Sequence, residues 1–265
     1  MKSVFRDDIL TGKVAFVTGG GSGICMGIAR ALMEHGACAA IVSRKPERLA
    51  ESAVVLEEAS GRDCEAVVAD VRDPDAVARA IDKTLERFGR LDIVVNGAAG
   101  NFLAPAAQLS PNGFRTVLDI DAVGTFTVSR IAFEKRLRDH GGVILNISAT
   151  LHYGATPLQV HASAAKAAVD SITRTLALEW GSLGIRVNGI APGPIDDTEG
   201  MRRLAPGELR DKLTRTIPIG RFGRIDEIAS IAVFLCSDAA SLVHGATIVA
   251  DGGAWLGSAS LAALG

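Results

Sequence analysis

The chain has 265 residues, 48% hydrophobic and 22% charged, which is ample for one well-packed α/β domain. Its 28 basic and 30 acidic residues leave a formal charge of −2, so no global field favours nucleic acid and any phosphate site must be local. The four cysteines are scattered without a C-x-x-C pair, which suggests neither a metal site nor a disulfide framework and points to free thiols in a reducing compartment.

The opening MKSVFRDDIL lacks the apolar core of a signal peptide, and no apolar run is long enough to span a membrane. The final Ala263-Leu264-Gly265 is not a peroxisomal S-K-L tail. A cytoplasmic, bacterial-type protein with no membrane or nucleic-acid partner is expected.

In chain order, the pattern predicts a strand over 14–18, a helix over 24–34, a strand over 38–43, a helix over 46–59 and a strand over 65–69. There follow a helix over 74–88, a strand over 93–96, a long helix over 114–138, a strand over 143–148 and a helix over 162–181. Strands over 186–190 and 247–250 complete the set. Near-continuous apolar strands alternating with helices mean a parallel sheet covered on both faces. One doubly wound Rossmann domain of seven strands accounts for residues 1–265, with right-handed crossovers and ligands beyond the carboxyl ends of the strands.

The first strand runs into TGGGSGIC, Thr18 to Cys25, and then a helix. Glycines between strand and helix let backbone N–H groups approach a pyrophosphate at a positive helix end, with Gly19 and Gly23 in the important positions and Gly21, Ser22 and Ile24 around them. Glycines also serve plain tight turns, but the flanking strand and helix favour the nucleotide. Cys25 occupies the place where a third glycine normally allows close helix–strand packing. The second strand ends at Ser43, followed by Arg44, Lys45 and then Arg48. An NAD site wants a carboxylate here, whereas arginine favours a 2′-phosphate, so NADP(H) is the expected cofactor. The alternative is a solvated charge pair opening a helix. Asp70, with Val71, is placed to meet the adenine edge, and Asn96-Gly97-Ala98-Ala99-Gly100 supplies the small residues that close passage of a cofactor requires.

Further on, the chain reads SAT at Ser148–Thr150 and HASAAK over 161–166. Together TGGGSGI, NGAAG, Ser148, Lys166 and APGPI (191–195) resemble the short-chain dehydrogenase/reductase family across essentially the whole chain. An ordinary member follows the serine with Y-x-x-x-K, whose tyrosine hands its proton to a carbonyl oxygen. Here the lysine is kept, the tyrosine is gone, and His161 is taken as its replacement. The segments over 96–106, 119–126, 158–170, 191–204 and 251–256 are similar to the peroxisomal branch of the 2,4-dienoyl-CoA reductases. That branch carries the same histidine at the tyrosine position, and an aspartate where most members have an active-site asparagine.

The resemblance implies NADPH-dependent reduction of a conjugated dienoyl-CoA thioester. Hydride goes to the far end of the diene, and a proton returns at the α-carbon to leave a trans-3-enoyl-CoA. A phenol beside a ketone oxygen is unsuited to that chemistry, because the proton belongs several bonds away. Asp121, in DIDAVGTF, is the matching acid, acting directly or through a water, in a lining of Phe126 and Leu145 expected to hold its proton. Asp119 faces another way. Lys166 carries over as the grip on the nicotinamide ribose and a source of positive potential. Ser148 and His161 are candidates to orient the thioester carbonyl. Pro192, Gly193, Ile195 and Thr198 carry over as cofactor contacts. Arg44, Arg72, Phe102, Ser110, Pro111, Asn112 and Arg203 carry over as contacts to the acyl-CoA, with a mobile lid over 194–218. A homotetramer formed through the two long helices is the family expectation.

Two other functions compete. One is an NADP-dependent carbonyl reductase in which Tyr153 or His161 donates the proton. The other is a catalytically silent NADP-binding sensor.

Overall fold

The computed structural model describes residues 4–198 and 208–259, with side chains omitted at 208–209 and 257–259. Seven strands lie in one parallel sheet ordered β3-β2-β1-β4-β5-β6-β7. They are β1 (Val14–Thr18), β2 (Cys38–Ser43), β3 (Cys64–Val68), β4 (Ile93–Asn96), β5 (Gly142–Ile147), β6 (Ile185–Pro192) and β7 (Thr247–Ala250). Every residue of β1 and β4 is buried, which explains why these strands read as unbroken apolar runs. The α/β, doubly wound expectation holds, and the order reverses between β1 and β4, where a crevice must open beyond the strand ends.

Alternate side chains of each strand feed two cores. Ala15 and Val17 pack under α1 (Gly23–Glu34), α2 (Pro46–Ser60) and, near the end of the chain, the helix Ile225–Cys236. Phe16 and Val94 pack on the other face, under α3 (Pro74–Phe88) and the helices Gly124–Ala132 and Val160–Trp180. Prolines at the first turn and left-handed glycines at the end bound α2 and α3, with Gly61 at φ +65° and Gly89 at φ +73°.

The helix expected over 114–138 begins earlier and is not regular. Ser110 caps it, its hydroxyl accepting from the Gly113 N–H at 3.0 Å, and Pro111 opens the first turn. It continues as α4 (Pro111–Leu118), a π turn (Asp119–Val123), α5 (Gly124–Ala132), a second π turn (Phe133–Leu137) and α6 (Arg138–His140). A π turn admits one extra residue, a feature found mostly at functional sites. Helix α7 (Val160–Trp180) then follows β5. Within the expected lid over 194–218, part lies outside the described residues, and Glu208–Thr216 forms α8. Ile225–Cys236 is α9. No helix among the described residues is long and apolar enough to cross a membrane.

The missing third glycine of the nucleotide loop finds its explanation in packing. A Cβ on Gly97, in the loop after β4, would collide with Cys25 Sγ. The thiol fills the space that a glycine in α1 would have left, and the glycine has moved to the facing loop. Burial pushes the Cys25 thiol up to about 12, only partly opposed by the Lys166 charge, so it is packing and not a nucleophile. We therefore expect Gly97→Ala to destabilise the fold by about 1–3 kcal/mol in urea unfolding. In a Cys25→Ala background the same change should recover most of that loss.

Candidate active site

The crevice between β1 and β4 is stitched by one hydroxyl. Thr18 Oγ1 accepts from the N–H groups of Gly97 (3.0 Å) and Ala98 (3.2 Å) while donating to Val95 O (3.3 Å). This brings the two glycine loops into contact. Gly19 lies at φ +71°, and a Cβ there would be 2.8 Å from Gly97 O, so only glycine fits both the turn and the approach. Gly23 starts α1 at φ +55°. Ser22, at the cap position of α1, makes no side-chain cap, which leaves the positive end of that helix open to an anion.

Around this point a cleft is lined by Gly19, Gly21, Ser22, Ser43, Arg44, Arg48, Asp70, Val71 and Ala98, all expected there, together with Lys45, Ala99 and Ile120. Arg48 Nε donates to Gly21 O at 3.1 Å, fixing the loop from α2. Arg44 stands exposed at the rim. The donor set suits a dinucleotide with an extra phosphate: an uncapped helix end, a glycine turn, and two arginines where a ribose-binding acid is absent.

Several expected residues do something else. Asp70 holds the Arg72 guanidinium with both oxygens, the closest contact at 2.5 Å, and this pairing keeps the carboxyl below its usual range. Arg72 is therefore tied to the cofactor cleft. Asn96 does not turn its amide to the cleft: Nδ2 donates to Ser129 Oγ (2.9 Å) and Asn146 Oδ1 (2.8 Å), and Asn146 passes the chain on to Thr173. Ile24 packs half-buried against the core. Ile195 is buried, and its carbonyl accepts from the Thr198 hydroxyl at 2.9 Å. Pro192 and Gly193 line a second, larger cleft of about 440 Å³ with Asn101, Leu103, Leu151, Gly154, Ile217 and Trp255. Ser110, Pro111 and Asn112 are a helix start, with the Ser110 hydroxyl engaged as the cap. Arg203 lies outside the described residues.

Behind the NGAAG loop, whose Ala98 and Ala99 line the first cleft, stands a buried ion pair. Lys166 Nζ lies 3.0 Å from Asp121 Oδ2, and the two side chains are 10% and 1% exposed. Asp121 comes from the first π turn and Lys166 from α7, so the pair bridges two elements. Asp121 Oδ1 accepts from the Gly100 N–H at 2.7 Å, a partner supplied by the NGAAG loop. The lysine aims its hydrogen bond at Ile147 O (2.9 Å), and Asp121 Oδ2 has no aligned hydrogen bond. The apolar lining expected of Asp121 is thus replaced by a backbone N–H and an ammonium, and Phe126 is 44% exposed. One carboxylate oxygen is anchored, and the other is held ready by charge alone.

The replacement of the tyrosine needs correction. One helical turn before Lys166, at the position the phenol occupies in Y-x-x-x-K, the chain has Ala162; His161 lies five places before the lysine. At 3.6 residues per turn His161 is about 140° around the helix from Lys166, so it cannot stand in for the phenol. Ala162 is buried and presents only a methyl group. His161 is fully buried, its ring stacked on Phe102 at 4.3 Å, and neither ring nitrogen has a hydrogen-bond partner among the described residues. Ser148 Oγ is likewise buried and unpartnered. Unsatisfied buried groups such as these cost about 1–3 kcal/mol each, and an active site is where that cost is tolerated.

Known proteins share this architecture. The family profile described as enoyl-(acyl carrier protein) reductase matches residues 19–254. A peroxisomal 2,4-dienoyl-CoA reductase [(3E)-enoyl-CoA-producing] of Pongo abelii is 53% identical over 257 residues, 96% of this chain and 88% of that protein. A probable 2,4-dienoyl-CoA reductase [(2E)-enoyl-CoA-producing] of Bacillus subtilis is 42% identical, covering 92% of this chain and 97% of that protein. Among solved structures, a gluconate 5-dehydrogenase of Burkholderia cenocepacia in complex with NADP and tartrate superposes with a TM-score of 0.87 at 32% identity. It covers 94% of this chain and 97% of its own.

Tyr153, the one tyrosine in the chain, commits its hydroxyl to Asp170, donating to Oδ2 at 3.3 Å. Burial first, and then the Asp170 charge, push its phenol from 10.0 up to about 12. The neutral phenol is the form the fold favours, so its contribution is intact below pH 10 and is lost between 10 and about 12. Ultraviolet titration of phenolate absorbance, unambiguous with a single tyrosine, should give a midpoint near 12, and Asp170→Asn should lower it.

Proposed function

The chain belongs to the short-chain dehydrogenase/reductase family, and from that membership we propose that it is an NADPH-dependent reductase of 2,4-dienoyl-CoA thioesters, yielding trans-3-enoyl-CoA in the breakdown of unsaturated fatty acids. The observation that carries the reading is the buried Asp121–Lys166 pair, with Ala162 where a ketone reductase keeps its phenol. It is an acid and a cation without a donor for a carbonyl oxygen.

In this reading Gly19, Gly21, Ser22, Gly23 and Ile24 hold the pyrophosphate. Ser43, Arg44 and Arg48 take the 2′-phosphate. Asp70, Val71 and Ala98 flank the adenosine and ribose, Asn96 is turned inward to Ser129 and Asn146, and Pro192, Gly193, Ile195 and Thr198 shape the nicotinamide end. Lys166 grips the nicotinamide ribose. When bound, the reduced nicotinamide supplies the hydride that the far end of the diene accepts. Lys166 sets positive potential beside the thioester oxygen, where negative charge gathers. Ser148 and His161 have buried polar atoms free to engage that carbonyl. Asp121, a carboxylate beside the Lys166 ammonium, holds at Oδ2 the water whose proton passes to the α-carbon, and the ammonium returns a proton to that water.

Delivery at the α-carbon leaves the double bond at position three. Delivery at the γ-carbon would leave it at position two, as the name of the Bacillus subtilis relative states for that protein. The CoA portion falls to Arg44, Arg72, Phe102, the Ser110-Pro111-Asn112 helix start and Arg203. We assign the whole chain to one domain and place the enzyme in the cytoplasm as a homotetramer. Exposed apolar side chains on the helices that the family uses for assembly support the latter: Val123 (51%), Phe126 (44%) and Leu178 (85%).

The test mixes enzyme, NADPH and 2,4-hexadienoyl-CoA, with a 3-oxoacyl-CoA in parallel. Turnover of the dienoyl thioester alone is expected, with Asp121→Ala lowering kcat by about 10²–10⁴-fold and Tyr153→Phe within about threefold of the parent. Turnover of the oxoacyl thioester, lost in Tyr153→Phe, would establish a carbonyl reductase instead. NADPH binding without turnover of either would establish the silent binder. Separately, Arg44→Ala should raise the KM for NADPH about 10–100-fold and leave that for NADH nearly unchanged.

A further inference from the structure

Asp170 has no part in the scheme above, yet it is one of the most heavily engaged side chains near the site. It sits on α7 one turn beyond Lys166 and is 3% exposed. Its Oδ2 accepts from His152 Nε2 at 2.9 Å and from Tyr153 Oη at 3.3 Å, and its Oδ1 accepts from Thr247 Oγ1 at 3.3 Å. The donors come from two separate places. His152 ends the 3₁₀ turn Thr150–His152, which follows Ser148, and Tyr153 comes next; Thr247 opens β7.

The rings extend this hub to the substrate cleft. Tyr153 meets His152 edge to face at 4.6 Å and Trp255 at 5.8 Å. Trp255 lines the larger cleft together with Leu151, Gly154 and Ala155, which flank His152 and Tyr153 in sequence. The same loop is tied to the start of α7 by Ser163 Oγ, which donates to Leu151 O at 3.1 Å. A buried carboxylate must be met by donors. Here two of the three donors lie on the cleft loop, so the need to satisfy Asp170 fixes where that loop lies relative to α7.

We propose that Asp170 is a positioning residue that sets the wall of the acyl-chain cleft, by holding His152 and Tyr153, and through them Trp255, against α7. The inference rests on the proposed function and takes the larger cleft, which Pro192 and Gly193 line at the nicotinamide end, as the acyl site of the dienoyl thioester. Asp170 does not touch the reacting atoms, so its removal should leave the chemical step intact. The loss should grow with the length of chain that lies along the wall of Leu151, Gly154 and Trp255. The retained tyrosine thereby has a role, since its phenol is committed to Asp170 and not to proton transfer.

The experiment compares 2,4-hexadienoyl-CoA with 2,4-decadienoyl-CoA. Asp170→Ala should raise the KM for the ten-carbon substrate about tenfold, the scale of one lost charge-assisted hydrogen bond, and that for the six-carbon substrate no more than about threefold. The kcat values and the affinity for NADPH should stay within about twofold. His152→Gln, whose amide can still donate to Asp170, should behave as the parent, while His152→Leu should reproduce the chain-length effect. That rescue by a donor is not expected of general damage, and it decides the matter even where Asp170→Ala fails to fold. A fall in kcat at unchanged KM, an equal effect on both chain lengths, or a His152→Gln as impaired as His152→Leu overturns the proposal while the reductase reading stands. Absence of turnover by the parent on both substrates overturns that reading and this inference with it.

Discussion

A carboxylate and an ammonium can share the interior of an apolar sandwich only by facing each other, and the Asp121–Lys166 pair is the contact on which this site depends. It joins the π turn to α7, and through Gly100 it reaches the NGAAG loop, while the lysine ties α7 to the end of β5. The ends of β4 and β5 and two helical elements are thereby brought to one point. Removing either partner would leave the other as an uncompensated buried charge, a far larger penalty than the pair itself represents. The pair is therefore poor evidence of stability for its own sake. Its retention at 3.0 Å, with one oxygen unbonded, is better explained by chemistry.

The lost phenol is the second constraint, and it is answered in two ways. Ala162 vacates the place beside Lys166 without introducing a new polar group. The remaining polar atoms nearby, Ser148 Oγ and both nitrogens of His161, are buried and unsatisfied in the free protein. Buried polar atoms in a folded protein are seldom left without a partner, and an active site is where they are tolerated. Phe102 covers His161 with its ring, which keeps water from the imidazole while leaving a side chain able to move aside.

Much of the fold is legible in the sequence because burial on both faces writes itself as unbroken apolar runs, as in β1, β2 and β4. The glycines of the first cleft are equally legible, since close backbone approach demands them, as at Gly19. What stays hidden has physical causes. The π turn that carries Asp121, like the second over 133–137, changes the count by one residue without disturbing the apolar pattern over 111–140, so periodicity reads straight through both. The displacement of His161 is not hidden: four residues separate it from Lys166 where Y-x-x-x-K has three, and that one-residue offset turns the side chain by about 100° on a helix. Asn96 resembles a cofactor contact because it ends a strand at the crevice, yet its partners Ser129 and Asn146 lie 33 and 50 residues away. Asp170 gives no signal in the sequence, since its donors are 17, 18 and 77 positions distant and none belongs to a recognised motif.

Cys25 shows why a fingerprint of glycines is an incomplete statement of the constraint it stands for. The third glycine of a nucleotide loop is required because helix and strand must approach closely, and closeness depends on the sum of two side chains, not on either one. In this chain the sum is preserved with the small residue on the other side: Gly97 contributes no Cβ, and Cys25 Sγ occupies the space where one would have stood. Core packing tolerates exchanges that conserve volume and rejects those that do not. Taken alone, Cys25 is a departure from the pattern. Taken with the residue that faces it, the pattern is intact. The same logic applies to the phenol, where a change at one position has meaning only with the groups that face it.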